Sequence, residues 1–265
     1  NWTTFGQLVI LCMIQVGGLG FMTIGAYISV ILKKRIGLQE REQLQESVNT
    51  LEIAGVVRLV KKIVQGALGI ELLGAILLSF RLIPRFGVIK GIYYSLFHAV
   101  SAFCNGGFDL MGTEEAYSSL VAYEGDILVN LVIVTLILVG GIGFIVWDDV
   151  ARNKWHFKRY LLHSKIVITV TFLLTVAGTV FFLITEQDAA FAGMSPLEKF
   201  LGALFSSVTP RTAGFNSVDT AALSNSGKLI TMVMMFIGGS PGSTAGGVKT
   251  TSVIVLLFYA GAMVL

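Results

Sequence analysis

Charged residues make up only 13% of this 265-residue chain, against about 25% in an ordinary soluble domain. That shortage excludes a water-soluble globular fold. Cysteine is nearly missing as well. Cys12 lies inside an apolar run and Cys104 beside a glycine turn, so the two read as unpaired thiols and exclude a disulfide framework or a cysteine-bound metal. His98, His156 and His163 show no ligand spacing. Glu71 is the one carboxylate deep inside an apolar run. A membrane-embedded enzyme would need clustered Asp, Glu or His at that depth, so the chain is read as not an enzyme, and nothing points to a nucleic-acid partner. No segment reads as a cleavable signal peptide. There is no initiator Met, and Asn1-Trp2-Thr3 leads directly into an apolar run, which is what a piece of a longer polypeptide would show.

What the chain has in abundance is apolar surface. Its residues are 54% hydrophobic, with a mean hydropathy of +0.80, which indicates a multi-pass protein of the lipid bilayer. Five runs approach or exceed the roughly 20 residues that a membrane span needs: 5–32, 63–80, 127–147, 166–185, and one from 228 onward. As one continuous helix the first would be roughly 40 Å long and would have to tilt or project. Lys33, Lys34, Arg35, Arg41, Arg58, Lys61 and Lys62 follow the first run. Arg152, Lys154, Lys158, Arg159 and Lys165 follow the third. The opposite connections carry Glu114, Glu115, Glu124, Asp126, Glu186, Asp188 and Asp219. The excess of Lys and Arg predicts that loops 33–62 and 148–165 are cytoplasmic. In the second of these, His156 and His163 stand with Trp155 and Phe157, a docking surface or a headgroup-facing stretch.

The two outer connections are more than loops. Residues 92–103 and 197–208 are apolar and about 12 residues long, roughly 18 Å as helix, or half the membrane. Each leads into a version of one motif, Phe103-Cys104-Asn105-Gly106-Gly107-Phe108-Asp109 and Pro210-Arg211-Thr212-Ala213-Gly214-Phe215-Asn216. Ser195-Pro196-Leu197-Glu198 carries a capping box and a proline at the first helical position. Both half-helices are expected to re-enter the membrane. A second repeat, Gly17-Gly18-Leu19-Gly20-Phe21 and Gly140-Gly141-Ile142-Gly143-Phe144, recurs in the first and third runs, where close helix packing is the first reading. Three parts follow: 1–50 as the end of a first repeat, 51–160 as a second, and 161–265 as a third. The repeats are parallel, because each complete unit enters from the same side.

A dehydrated cation needs several oxygen ligands, and rings of backbone carbonyls provide them without a fixed charge. Asn105, Gly106 and Gly107 in one repeat, with Thr212, Ala213 and Gly214 in the other, are the candidate filter, holding K+ or Na+ as the transported ion and no other cofactor. The competing reading is a pair of tight outer turns anchored by Phe108 and Phe215. In the fifth run, Gly239-Ser240-Pro241-Gly242-Ser243-Thr244-Ala245-Gly246-Gly247 cannot continue a helix, so it is expected to face a water-filled interior and obstruct passage; a simple kink is the alternative. The following Val248-Lys249-Thr250 gives a superficial likeness to a phosphate-binding loop, but Val248 separates glycine from lysine and no strand precedes it. Lys249 is expected to mark the inner end of the pore. Glu71 and Arg211 are read as supporting residues. Glu71 would either hydrogen-bond a half-helix or pair with Arg211.

Taken together these motifs resemble the membrane subunit of the Ktr/Trk/HKT superfamily of potassium transporters, the bacterial Ktr type above all. The likeness rests on Q-V-G-G-L-G-F-M-T at 15–23, K-R-I-G-L at 34–38, N-G-G-F-D at 105–109, R-T-A-G-F at 211–215 and F-I-G-G-S-P-G-S-T-A-G-G at 236–247. It implies an all-α membrane protein of four parallel helix–pore-helix–helix repeats around a pseudo-fourfold pore, with Gly107 and Gly214 as two of four filter glycines. It further implies that residues 240–247 are an intramembrane gating loop. Homodimers in a bacterial inner membrane are implied as well, regulated by a cytosolic ring of nucleotide-binding, ATP/ADP-sensing RCK-type subunits. The start of repeat 1 and all of repeat 4 would be missing from this chain. A sodium-permeable or non-selective member of the superfamily is the nearest competing reading, and a non-conducting scaffold a more distant one.

Overall fold

Apolar runs become separate helices wherever glycine lets the backbone turn, and the first and third runs both show it. The computed structural model describes residues 2–32, 37, 42–45, 56–113, 118–154 and 156–264. Lys33, Lys34, Arg35, Arg41, Glu114, Glu115 and Trp155, with most of the motif at 34–38, lie outside the described residues. Helix α1 (Thr4–Leu19) begins at Thr3, whose hydroxyl accepts from the Gly6 N–H at 3.2 Å. It stops at Gly20, where φ is 84°. Helix α2 (Phe21–Ile31) then leaves at 95°. The expected rod of roughly 40 Å is thus corrected to two helices.

Helix α3 (Val56–Phe86) is a full span of 31 residues. Gly87 turns the chain directly into the half-helix α4 (Val88–Phe103), which starts four residues before the predicted 92–103. Asp126 then caps α5 (Ile127–Gly141) by accepting from the Leu128 and Val129 N–H groups. The third run breaks as the first did. Gly143 has φ 95°, and α6 (Phe144–Asn153) departs at 97°. In both glycine repeats the last glycine makes a turn, a role beyond the packing read from sequence.

The next unit repeats the plan. Helix α7 (Leu162–Thr185) spans, and the half-helix α8 (Pro196–Val208) carries the predicted capping box. There the Ser195 N–H donates to Glu198 Oε2 at 2.7 Å and the Glu198 N–H to Ser195 Oγ at 3.4 Å. Helix α9 (Asn225–Phe236) and helix α10 (Thr250–Val264) flank the interrupted fifth run. The architecture is therefore all-α, with two successive helix–half-helix–helix units after the α1–α2 pair. Phe97, Phe103, Ile133, Val208 and Phe215 belong to one core shared by both units. Leu72, Leu73, Phe80, Phe172, Leu173 and Ile184 face outward, as lipid in place of water allows.

One buried carboxylate ties the third unit together. Glu186, fully buried, follows α7 and accepts from the Ser224 N–H at 2.9 Å and the Ser224 hydroxyl at 2.5 Å. Ser224 in turn caps α9. Replacing Glu186 by alanine strands these donors, each costing about 1–3 kcal/mol when unsatisfied. The variant is expected to lose about 2 kcal/mol of stability, read by thermal unfolding in detergent. An unchanged midpoint would show that the tie is dispensable.

Candidate functional site

Both half-helices end at the glycine motifs, and their backbones leave helix geometry in the same way. Asn105 has φ 53° and Gly107 φ 69°; Thr212 has φ 73° and Gly214 φ 87°. Gly106 and Ala213, between them, keep negative φ. Such alternation of left- and right-handed residues sorts successive N–H groups and carbonyls into separate directions. The N–H groups turn back: Gly106 donates to Ser101 O at 2.8 Å, and Ala213 to Thr209 O at 3.0 Å. No described residue donates a hydrogen bond to the carbonyl of Asn105, Gly106, Gly107, Thr212, Ala213 or Gly214. The two segments also meet. A Cβ on Gly107 would overlap the Ala213 carbonyl oxygen and lie 2.9 Å from Gly214 Cα. The partially negative C-terminal ends of α4 and α8 aim at this place.

Threonine at positive φ is a steric outlier because its Cβ is branched, and something must hold it. The Thr212 hydroxyl accepts from the Gly246 N–H at 3.1 Å, so the interrupted fifth run supports it from below. Asn105 is tied to the same loop: its Nδ2 donates to Thr244 Oγ1 at 2.8 Å, and that hydroxyl donates to Phe103 O at 2.8 Å. Residues 240–247 are further pinned to the bend after α5. The Ser240 N–H donates to Gly141 O at 3.0 Å and the Thr244 N–H to Gly140 O at 3.2 Å. In return Phe144 N–H donates to Gly242 O at 2.8 Å. The loop is closed at its own neck, where Gly238 N–H donates to Val248 O at 3.0 Å and Gly239 N–H to Gly246 O at 3.2 Å. Within it, Ser243 Oγ donates to Ser240 O at 2.6 Å, and Lys249 Nζ folds back to Ala245 O at 2.7 Å. Pro241 and Gly242 form the turn nearest α6.

The two charged supports read from sequence sit apart. Glu71 on α3 is buried and accepts from Gln15 Nε2 of α1 at 3.0 Å, with Cys104 Sγ 3.6 Å away at the end of α4. It thereby ties α1 and α3 to the start of the first glycine motif. Arg211 is also buried, and its Nη2 reaches Thr171 Oγ1 of α7 at 3.5 Å. The alternative in which Glu71 pairs with Arg211 is therefore corrected: Glu71 is held by α1 and the end of α4, and Arg211 by α7 of its own unit.

Several positioning residues escaped sequence reasoning. His98 is buried in α4; the Leu110 N–H donates to its Nε2 at 3.3 Å, which leaves Nδ1–H to donate to Tyr94 O at 2.7 Å. It fastens Leu110, just beyond the first glycine motif, to the half-helix α4, and its ring lies 6.2 Å from that of Phe215. The Thr209 hydroxyl bonds across the second segment to Phe215 O. Leu120 N–H donates to Asn216 O at 2.8 Å, joining the two units at the filter end. On the same rim, burial first and the Glu198 charge second push the Glu124 carboxyl above its ordinary range. The bond from the Ser195 N–H holds Glu198 below it. A lone His inside the apolar run 92–103 gives no sequence signal for such a strap.

The family model described as TrkH, cation transport protein, matches residues 1–259. The chain belongs to the TrkH family. It is 43% identical, over 99% of its length, to the potassium/sodium uptake protein NtpJ of Enterococcus hirae. It is 44% identical, over 97% of its length, to the Ktr system potassium uptake protein B of Bacillus subtilis. It covers 57% of each of these relatives, a little over half their length. The crystal structure of the potassium transporter TrkH from Vibrio parahaemolyticus matches with a TM-score of 0.64 at 20% identity, over 84% of this chain and 45% of that one. This second likeness establishes the shared fold. The family read from the glycine motifs and the family found by comparison are the same.

Proposed function

We propose that this TrkH-family chain forms part of a channel-like pore for potassium uptake. The carbonyls of Asn105, Gly106 and Gly107, with those of Thr212, Ala213 and Gly214, serve as two parts of a short selectivity filter. The observation that carries this reading is that, among the described residues, all six lack a hydrogen-bond donor, at the facing ends of two half-helices. Ala213 is buried, Asn105, Gly106, Gly107 and Thr212 are half-buried and Gly214 is exposed, and six neighbouring carbonyls left without a protein donor form a ready set of ligands for a dehydrated cation. Residues 240–247 act as the gate beneath the filter, a role supported by their bonds to Asn105 and Thr212.

The parts 1–50, 51–160 and 161–265 correspond to the end of one repeat and two whole ones. The filter faces outward in a bacterial inner membrane, with loops 33–62 and 148–165 in the cytoplasm. A homodimer carrying a cytosolic nucleotide-binding ring is the assembly that the Ktr resemblance supports. Sodium is the second candidate ion, favoured by the name of the Enterococcus relative as a potassium/sodium uptake protein.

Complementation tests the core of the proposal. Expressed at full length in cells lacking potassium uptake, the protein is expected to restore growth at low potassium, and in vesicles to pass K+ ahead of Na+. Growth failure with the protein present in the membrane would overturn potassium uptake. Equal fluxes of the two ions would select the sodium-permeable reading.

A further inference from the structure

The segment joining α6 to α7 carries surface features that the ion pathway does not use. Between Val150 and Lys165 the sequence has five basic residues, Arg152, Lys154, Lys158, Arg159 and Lys165, and no acidic one. The two carboxylates just before it are already engaged. Asp148 pairs with Lys62 at 3.3 Å and with Arg152 at 2.5 Å. Asp149 accepts from Asn153 Nδ2 at 2.7 Å and from the Leu161 N–H at 2.8 Å. Lys154, Lys158 and Arg159 are exposed and have no ion pair among the described residues. Beside them stand exposed apolar side chains: Phe157 is 45% exposed, Leu161 57% and Leu162 73%.

The segment is also held in shape. The Asp149 bond to the Leu161 N–H folds it back on α6, the Tyr160 hydroxyl donates to Lys154 O, and Lys165 Nζ donates to Lys158 O at 2.9 Å. The rings of Phe157 and Tyr160 meet edge-on at 5.5 Å.

Its depth follows from the helices on either side. α6 departs from α5 at 97°, and α7 is a span that begins at Leu162. The segment therefore lies where hydrocarbon gives way to headgroups. Cations unpaired by protein, alongside outward aromatic and aliphatic groups at that depth, match an anionic interface in charge and in polarity. We infer that Lys154 and residues 156–162 form a binding surface for anionic phospholipid headgroups. Lys154, Lys158 and Arg159 engage the phosphodiesters, and Phe157 and Leu161 anchor among the upper acyl chains. This requires neither potassium selectivity nor the gate, so it stands or falls apart from the proposed function.

Local fluorescence tests it in the intact protein. Phe157→Trp, in a background with Trp155→Phe, is reconstituted into phosphatidylcholine vesicles doped with brominated phosphatidylglycerol or brominated phosphatidylcholine. The variant's signal is read against the Trp155→Phe background. Quenching by the anionic lipid is expected to dominate. Each basic group near an anionic surface contributes about fivefold in affinity. Changing Lys154, Lys158 and Arg159 together to Gln is therefore expected to lower the preference by at least about tenfold, while the Arg-for-Lys variants at 154 and 158 retain it. Equal quenching by both lipids, or a preference untouched by the triple change, would overturn the inference. So would protection from both lipids, which would mean that a protein surface covers the segment.

Discussion

Serine in place of Gly107 is expected to cut potassium flux by about tenfold or more and to blunt discrimination against sodium. Two effects add. The left-handed conformation at φ 69° costs a residue with a side chain about 1–3 kcal/mol. The new Cβ would also overlap the Ala213 carbonyl oxygen and come within 2.9 Å of Gly214 Cα. Backbone cannot rotate aside as a side chain can, so the second filter segment must shift with the first. Gly214→Ser is expected to be milder, because its Cβ would approach only Gly107 Cα, at 3.2 Å. Ion flux and K+/Na+ permeability ratios in reconstituted vesicles measure both. If Gly107→Ser conducts and selects like the parent, these carbonyls are not the filter.

Removing the Thr244 hydroxyl is expected to raise flux. That oxygen accepts from Asn105 and donates to Phe103 O, both at 2.8 Å, so it latches the loop to the first glycine motif. Thr244→Val keeps the volume and loses both bonds. At about 1 kcal/mol each, the balance between latched and released loop moves by roughly thirtyfold. Flux is expected to rise several-fold toward that limit if release is what opens the path, and Thr244→Ser is expected to behave as the parent. Deleting residues 240–247 should raise flux further, since the obstruction itself is gone. Deletion that leaves flux unchanged, in a protein still present in the membrane, would sink the gating role.

How much of this could be read from residues depended on how local each cause was. The capping box at Ser195 lies within four positions and was fully legible. So were the half-helices and the break at Pro241, because glycine, proline and segment length act on their own neighbourhood. The bends at Gly20 and Gly143 were hidden inside unbroken apolar runs: hydropathy does not register a turn when the residues on both sides remain apolar. Tertiary pairs were out of reach. Thr244 is 139 positions from Asn105, and Gln15 is 56 positions from Glu71. Pairing Glu71 with Arg211 was reasonable by charge alone. Only the reach of Gln15 from α1 to Glu71, and of Arg211 to Thr171 on α7, assigns each its actual partner.

The closed neck of the loop has a mechanical consequence. With Gly238 bonded to Val248 and Gly239 to Gly246, the six residues 240–245 form a flap on a fixed base. Its excursion lengthens no part of the chain, and neither α9 nor α10 is obliged to slide or rotate when it swings. The lipid-facing wall can therefore stay still while the interior rearranges. On the proposed gating role, conductance would change with little change in cross-sectional area, and so with almost no work against lateral pressure in the bilayer.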